Sequence, residues 1–158
     1  MAKKRIRVYA DTSVFGGAFD EEFRAATLAF IAQVQEGKFD LILSPLIEEE
    51  LAQAPEKVRD LYGSVASFGE MIPLAEEALR LQEAYLGAGI VSAQWAADAL
   101  HVAHATVSGC QIVVSWNFQH IVHYRRIPLY NAVNIRQGYS SIGIHSPQEV
   151  IEYEDEDV

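Results

Sequence analysis

Four places along the chain carry residues able to do acid, base or metal chemistry. Asp11 directly follows the strand pattern "IRVYA" (6–10), and Glu48, Glu49 and Glu50 follow the apolar run "FDLILS" (39–44). Asp98 is the only charged side chain of "AADALHVAHATVSG" (96–109) if the histidines are neutral. Asn117 and His120 follow "CQIVVSW" (110–116). Carboxylates that share a site need something to neutralise them. Two like charges ~4 Å apart repel by about 4 kcal/mol at an effective dielectric of ~20. A divalent cation removes that penalty. Hard oxygen ligands without a paired Cys/His set suit Mg²⁺ or Mn²⁺. A water activated by such an ion can attack a phosphodiester.

The elements that would position these residues are legible as patterns. The spacing of Phe23, Leu28, Phe30, Ile31 and Val34 predicts a helix over 21–36, ended by Gly37. "FDLILS" reads as a buried parallel strand, because such strands are apolar on both faces. Pro45 opens a helix to about Gln53, since proline fits a first helical turn. Helical patterns follow over 55–68, 75–87, 93–108 and 128–137, with a short helical turn at 117–123. "EMIPL" and "IGIHSP" read as short strands, "CQIVVSW" as a buried one, and "PQEVIEY" as a last helical turn. "DTSVFGGAF" (11–19) reads as a loop, with Gly16 and Gly17 allowing a tight turn beside Asp11. Strands alternating with helices predict a three-layer α/β/α sandwich around a central parallel sheet. Such sheets place their active crevice at the carboxyl ends of strands. Asp11, the Glu48–Glu50 run and Asn117 would all lie there, with Asp98 on the helix just before the fourth strand.

Composition bounds the rest. The chain has 158 residues, half of them hydrophobic and 22% charged. That suits one globular domain over 1–150 with an acidic tail over 151–158. No apolar stretch approaches the ~20 residues of a membrane span. "MAKKRIRVYADTS" lacks the apolar core of a signal peptide, so a cytoplasmic location is expected. The lone Cys110 permits no intramolecular disulfide and reads as a small core residue. The net charge is −10, and residues 8–151 hold 17 acids against 8 bases. A nucleic-acid binder usually shows a basic face. None is evident here, which counts against unaided high-affinity binding.

Several residues have plainer readings. His101 and His104 are three apart on one helix, but no third soft ligand lies nearby, so structural roles are expected rather than a zinc site. Asp98 needs a partner in apolar surroundings; a metal or Arg125 or Arg126 could supply it. The Arg125–Arg126 pair could meet a phosphate or neutralise local acids. His120 could steady its loop or contact phosphate. Trp95 and Trp116 could stack on bases, though each borders an apolar run and core packing is the expected role. No G-x-x-x-x-G-K-S/T or G-x-G-x-x-G phosphate loop is present.

Four segments resemble the PIN domain family, and in particular the VapC-type ribonuclease toxins of prokaryotes: "VYADTSVF", "LILSPLIEEEL", "ADALHVAHA" and "IVVSWNFQHI". The resemblance runs from about Arg5 to Glu149. It implies an α/β/α sandwich whose acidic pocket binds Mg²⁺ or Mn²⁺ and cleaves RNA. Asp11, Glu50 and Asp98 match the family's three metal-binding acids, and Ser13 matches the residue that orients the first. Asn117 stands where many members have a fourth Asp; being neutral, it would assist through a water or the metal. The "SPLIEEEL" frame selects Glu50, leaving Glu48 and Glu49 solvated or near helix N-terminal amides. The resemblance also implies an antitoxin protein that blocks the pocket, and a homodimer. The expectation is a metal-dependent endoribonuclease acting on an RNA substrate. The alternative is a PIN-like module that binds nucleic acid or protein with little or no catalysis. A phosphatase is a third reading, weakened because "DTSVF" lacks the D-x-D of a phosphoaspartate mechanism.

Overall fold

A computed structural model describes residues 5–153. The acidic tail read from the sequence lies largely outside them, at 154–158. Strand β1 (Ile6–Ala10) is central. On one side it pairs with β2 (Phe39–Leu43), which pairs with β3 (Gly69–Met71); on the other it pairs with β4 (Ile112–Val114), which pairs with β5 (Gly143–His145). All four pairings are parallel, giving the order β3-β2-β1-β4-β5. The chain first winds outward from β1 through β2 to β3, then returns across the sheet to β4 and β5. The reversal places a topological switch point between β1 and β4, where the carboxyl ends diverge and leave a crevice.

Right-handed crossovers sort the helices into two layers. Helices α1 (Thr12–Gly17), α2 (Arg24–Gln35), α3 (Pro45–Leu51) and α4 (Glu56–Ala66) connect the first three strands, and α8 (Pro147–Val150) packs back against α2. Helices α5 (Glu76–Gly87), α6 (Ala96–Val107) and α7 (Ile127–Arg136) pack together on the other face. The sheet is sealed between them, with Val8, Tyr9, Ile42, Val113 and Val114 fully buried. Both faces of β1, β2 and β4 are covered, which is why their sequences run apolar rather than alternating.

Helix α6 explains its own greasiness. Every residue from Ala99 to Thr106 is buried, because α6 lies between the sheet and α5. Asp98 sits in its first turn, where a negative charge is favourable to the helix dipole. The helix read over 93–108 is divided: Ala93–Trp95 form a 3₁₀ turn and α6 begins at Ala96.

One element departs from the sequence reading. "DTSVFGGAF" is not a loop; α1 begins immediately after Asp11. The two glycines, which suggested a turn, continue the helix. Gly17 is needed for proximity: a Cβ there would lie 2.6 Å from Trp116 Nε1 and 2.7 Å from Thr27 Oγ1. The glycine lets α1 press against the end of β4. No helix among the described residues is long and apolar enough to cross a membrane.

Candidate active site

The carboxyl ends of β1, β2 and β4 each deliver a polar residue into the crevice: Asp11, Ser44 and Ser115. The backbone N–H of Asp11 bonds Val114 O at 3.1 Å, which extends the ladder by one residue and fixes where its side chain emerges. Asp11 is only 3% exposed. Its Oδ1 accepts from Ser13 Oγ at 2.6 Å and its Oδ2 from Ser115 Oγ at 2.7 Å. Burial pushes its pKa above the usual aspartate value, and the charge of Glu50 adds to this; His101 and the two hydroxyls oppose the rise without cancelling it. Asp11 is therefore a desolvated carboxylate without an ion-pair partner among the described residues.

Glu50 is the member of the Glu48–Glu50 run that turns toward Asp11's neighbour. Its Oε1 accepts from Thr12 Oγ1 at 2.5 Å and lies 2.7 Å from His101 Nε2. Burial alone would raise its pKa; the hydrogen bond and charge of His101, with the Thr12 hydroxyl, outweigh this and hold it below the usual value. Glu48 lies elsewhere, lining a cavity of about 160 Å³ with Leu51, Ala52, Arg59 and Tyr62. Glu49 is exposed.

Behind Glu50 runs a buried relay. Tyr9 OH lies 2.8 Å from Ser44 Oγ and 2.6 Å from His101 Nδ1. Tyr9 and Ser44 are fully buried, and His101 is 2% exposed. The relay presents Nε2–H to Glu50 in either protonation state. With neutral His101, Tyr9 donates to Nδ1 and accepts from Ser44. With cationic His101, Nδ1–H donates to Tyr9, which passes its own hydrogen to Ser44. His104, one turn away, packs edge-on against Tyr9 with ring centroids 5.4 Å apart, and burial lowers its pKa to about 4. The sequence reading gave both histidines structural roles. That fits His104, while His101 holds a candidate site acid. Tyr9, Ser44, His101 and Ser115 were missed as a group. For Ser44 and Ser115 the available signal was a polar residue directly after the apolar end of a strand; Tyr9 and His101 carried none.

Asp98 is held separately. Its Oδ2 lies 2.9 Å from His120 Nδ1, and its side chain is 22% exposed. Trp95 stacks on the His120 ring at 4.4 Å, and Tyr130 OH donates to the His120 carbonyl at 2.8 Å. Asn117 plays a local part: its Oδ1 accepts the backbone N–H of His120 at 2.9 Å and of Gln119 at 3.2 Å. This caps the turn carrying His120 and engages the oxygen that the sequence reading offered to a water or metal. Ser13, besides holding Asp11, accepts from the backbone N–H of Trp116 at 2.8 Å. Arg125 and Arg126 have no carboxylate partner among the described residues, so neither neutralises Asp98.

The donors fit a hard divalent ion in kind. Asp11 offers a desolvated carboxylate, and Glu50 is near enough for its charge to act on it. Mg²⁺ is commonly held by one or two carboxylates, with waters and substrate phosphate completing its shell. Among the described residues, no group of three or more His, Cys, Asp or Glu side chains is placed to hold a metal ion together. Asp98, bonded to His120, would have to turn from that partner to join the other two.

The strand order, the two helical layers and an acid at the switch point define a PIN-like three-layer sandwich. Two solved structures share this fold. VapBC2 from Rickettsia felis, bound to a DNA fragment from their promoter, matches with a TM-score of 0.60 and 13% identity, over 89% of this chain and 98% of that one. FitAcB from Neisseria gonorrhoeae matches with a TM-score of 0.58 and 15% identity, over 90% and 99%. No protein-family model and no curated protein sequence matches the chain.

Proposed function

We propose that this protein is a metal-dependent endoribonuclease and the toxin of a toxin–antitoxin pair. The observation that carries the reading is Asp11: a buried carboxylate at the switch point of a PIN-like sheet, with Glu50 beside it and no cation against it. Burying such a charge without a partner is costly, and a divalent ion is the partner that suits two carboxylates. Asp11 and Glu50 would hold Mg²⁺ or Mn²⁺, with Asp98 as a third ligand once released from His120. When bound, the ion supplies positive charge for the phosphoryl oxygens and lowers the pKa of its water.

The chain's own residues do the rest. Ser13 and Ser115 hold both oxygens of Asp11, which fixes the carboxylate plane. Thr12 and His101 hold one oxygen of Glu50 and leave the other for a ligand. Asn117 fixes the His120 backbone, and His120 orients Asp98. The likeness to VapBC2 and FitAcB, with the resemblance to VapC-type toxins, supports an antitoxin partner that covers this crevice.

A second reading has its own observation. Glu50 and Asp98 are each bonded to an imidazole, and Asn117 is engaged in its turn. That arrangement suits a PIN-like binding module with little turnover. Incubating the protein with a pool of structured and single-stranded RNA decides between them. The nuclease reading expects cutting in Mg²⁺ or Mn²⁺ that a chelator abolishes and Asp11→Asn removes. No cutting by the wild type in either metal would sink it and leave the binding module.

A further inference from the structure

Two exposed aromatic rings border the turn that follows β4: Phe118 is part of it, and Trp95 stacks on its His120. Trp95 is 40% exposed, yet it is stacked on His120, the residue that holds Asp98. Phe118 is 47% exposed and lies next to Asn117. It is braced edge-on by Phe23 at 6.1 Å and Trp116 at 6.0 Å, which leaves it open to solvent. Trp116 is different: it stacks on Phe23 at 4.1 Å, donates Nε1–H to Thr27 at 2.9 Å and is buried. Of the two tryptophans named from the sequence, one belongs to the core and the other does not. Further along the same segment, Arg125 lies over the exposed Tyr124 ring at 5.4 Å and has no carboxylate partner among the described residues.

Resting on the nuclease reading, we propose that Trp95 and Phe118 are stacking platforms for two bases of an unpaired strand laid along the turn that carries Asn117 and His120. Aromatic faces accept any base, because each base has a π-face. Bases inside a duplex have no free face, so the platforms select unpaired segments. Bracing by His120, Trp116 and Phe23 means that little side-chain freedom is lost on binding. Stacking also compensates for the missing basic face, since it attracts a strand without net positive charge.

The test separates binding from cutting. A fluorescein-labelled 2′-O-methyl single strand of mixed sequence, which resists cleavage, is titrated with protein in chelator at low salt. A blunt duplex of the same sequence is run beside it. Expected is binding of the single strand at least tenfold tighter than of the duplex. Trp95→Leu and Phe118→Leu each weaken it by roughly five- to a hundredfold, the range of one base–aromatic stack. Phe118→Trp retains binding. The strand quenches wild-type tryptophan emission, and the quench disappears in Trp95→Leu, where buried Trp116 alone remains. Melting curves check that the variants are folded. Binding by both leucine variants within twofold of wild type overturns the proposal, as does equal binding of duplex and single strand. If the strand binds and quenches but RNA is never cut in metal, the platforms stand and the nuclease reading falls. If RNA is cut equally by wild type and both leucine variants, the platforms fall and the nuclease stands. Failure of the strand to bind while a protein partner's binding is lost in Trp95→Leu would assign the rings to that partner and overturn the proposal.

Discussion

Removing the Tyr9 hydroxyl tests the buried relay behind Glu50 most sharply. Tyr9→Phe keeps the ring and its edge-on contact with His104, so no cavity larger than an oxygen is created. It deletes two hydrogen bonds, of 2.8 Å to Ser44 and 2.6 Å to His101. Both partners are buried, so neither regains a bond to water. A buried group left unpaired costs about 1–3 kcal/mol. Ser44 can rotate its hydroxyl and recover part of this, so the expected loss is about 2–4 kcal/mol. For a domain of this size that is a fall in Tm of roughly 5–15 °C. Urea unfolding should show a lower midpoint with an unchanged slope. Tyr85→Phe is the control, since Tyr85 makes its buried bond to Asn134 away from the acids. Both variants should lose stability, but only Tyr9→Phe should also weaken Mn²⁺ binding, because only it frees His101 from the geometry that aims Nε2–H at Glu50. A loss below about 0.5 kcal/mol for Tyr9→Phe, or equal metal binding by the two variants, would refute the relay.

Other substitutions probe separate parts of the account. The Asp11 pKa is raised in the folded protein, so its ionisation destabilises the fold progressively as pH rises from the ordinary aspartate range through the folded value. In chelator, the Tm of Asp11→Asn relative to wild type should therefore climb as pH rises above the ordinary aspartate range and level off beyond the folded value; a difference that stays flat throughout would remove desolvation as the cause. Gly17→Ala should cost about 1–3 kcal/mol by overpacking against Trp116, whereas Gly16→Ala, with nothing within 4 Å, should be neutral or mildly stabilising in thermal melts. Asn117→Ala should cost about 1 kcal/mol by uncapping the turn and should slow cleavage, while Asn117→Asp keeps the acceptor and should restore stability. Equal stability of those two variants would mean that the carboxamide does not hold the turn.

The sheet was legible because its central strands are buried on both faces toward their carboxyl ends and appear as apolar runs broken only by Arg7 in β1 and Asp40 in β2. Element ends were less so. The "GG" of α1 was misread because glycine serves both turns and close packing, and only the position of Trp116, ninety-nine residues further on, decides which applies here. Asp11 and Glu50 were accessible from strand ends and family resemblance. The hydrogen bond between Glu50 and His101 was not, because it joins residues 51 apart through a helix register that sequence spacing does not reveal. Trp95 and Trp116 looked equivalent in sequence; their exposures differ because one ends a 3₁₀ turn at the surface and the other faces α1 and α2.

If the nuclease reading holds, Asp11 and Glu50 together form a divalent-ion centre. Its most direct test is calorimetric titration of Mn²⁺ into wild type, Asp11→Asn and Glu50→Gln, each shown by melting to be folded. Wild type should bind the ion, and binding should be lost or weakened at least tenfold in both variants. Absence of binding by wild type, or variants that bind as wild type does, would contradict it.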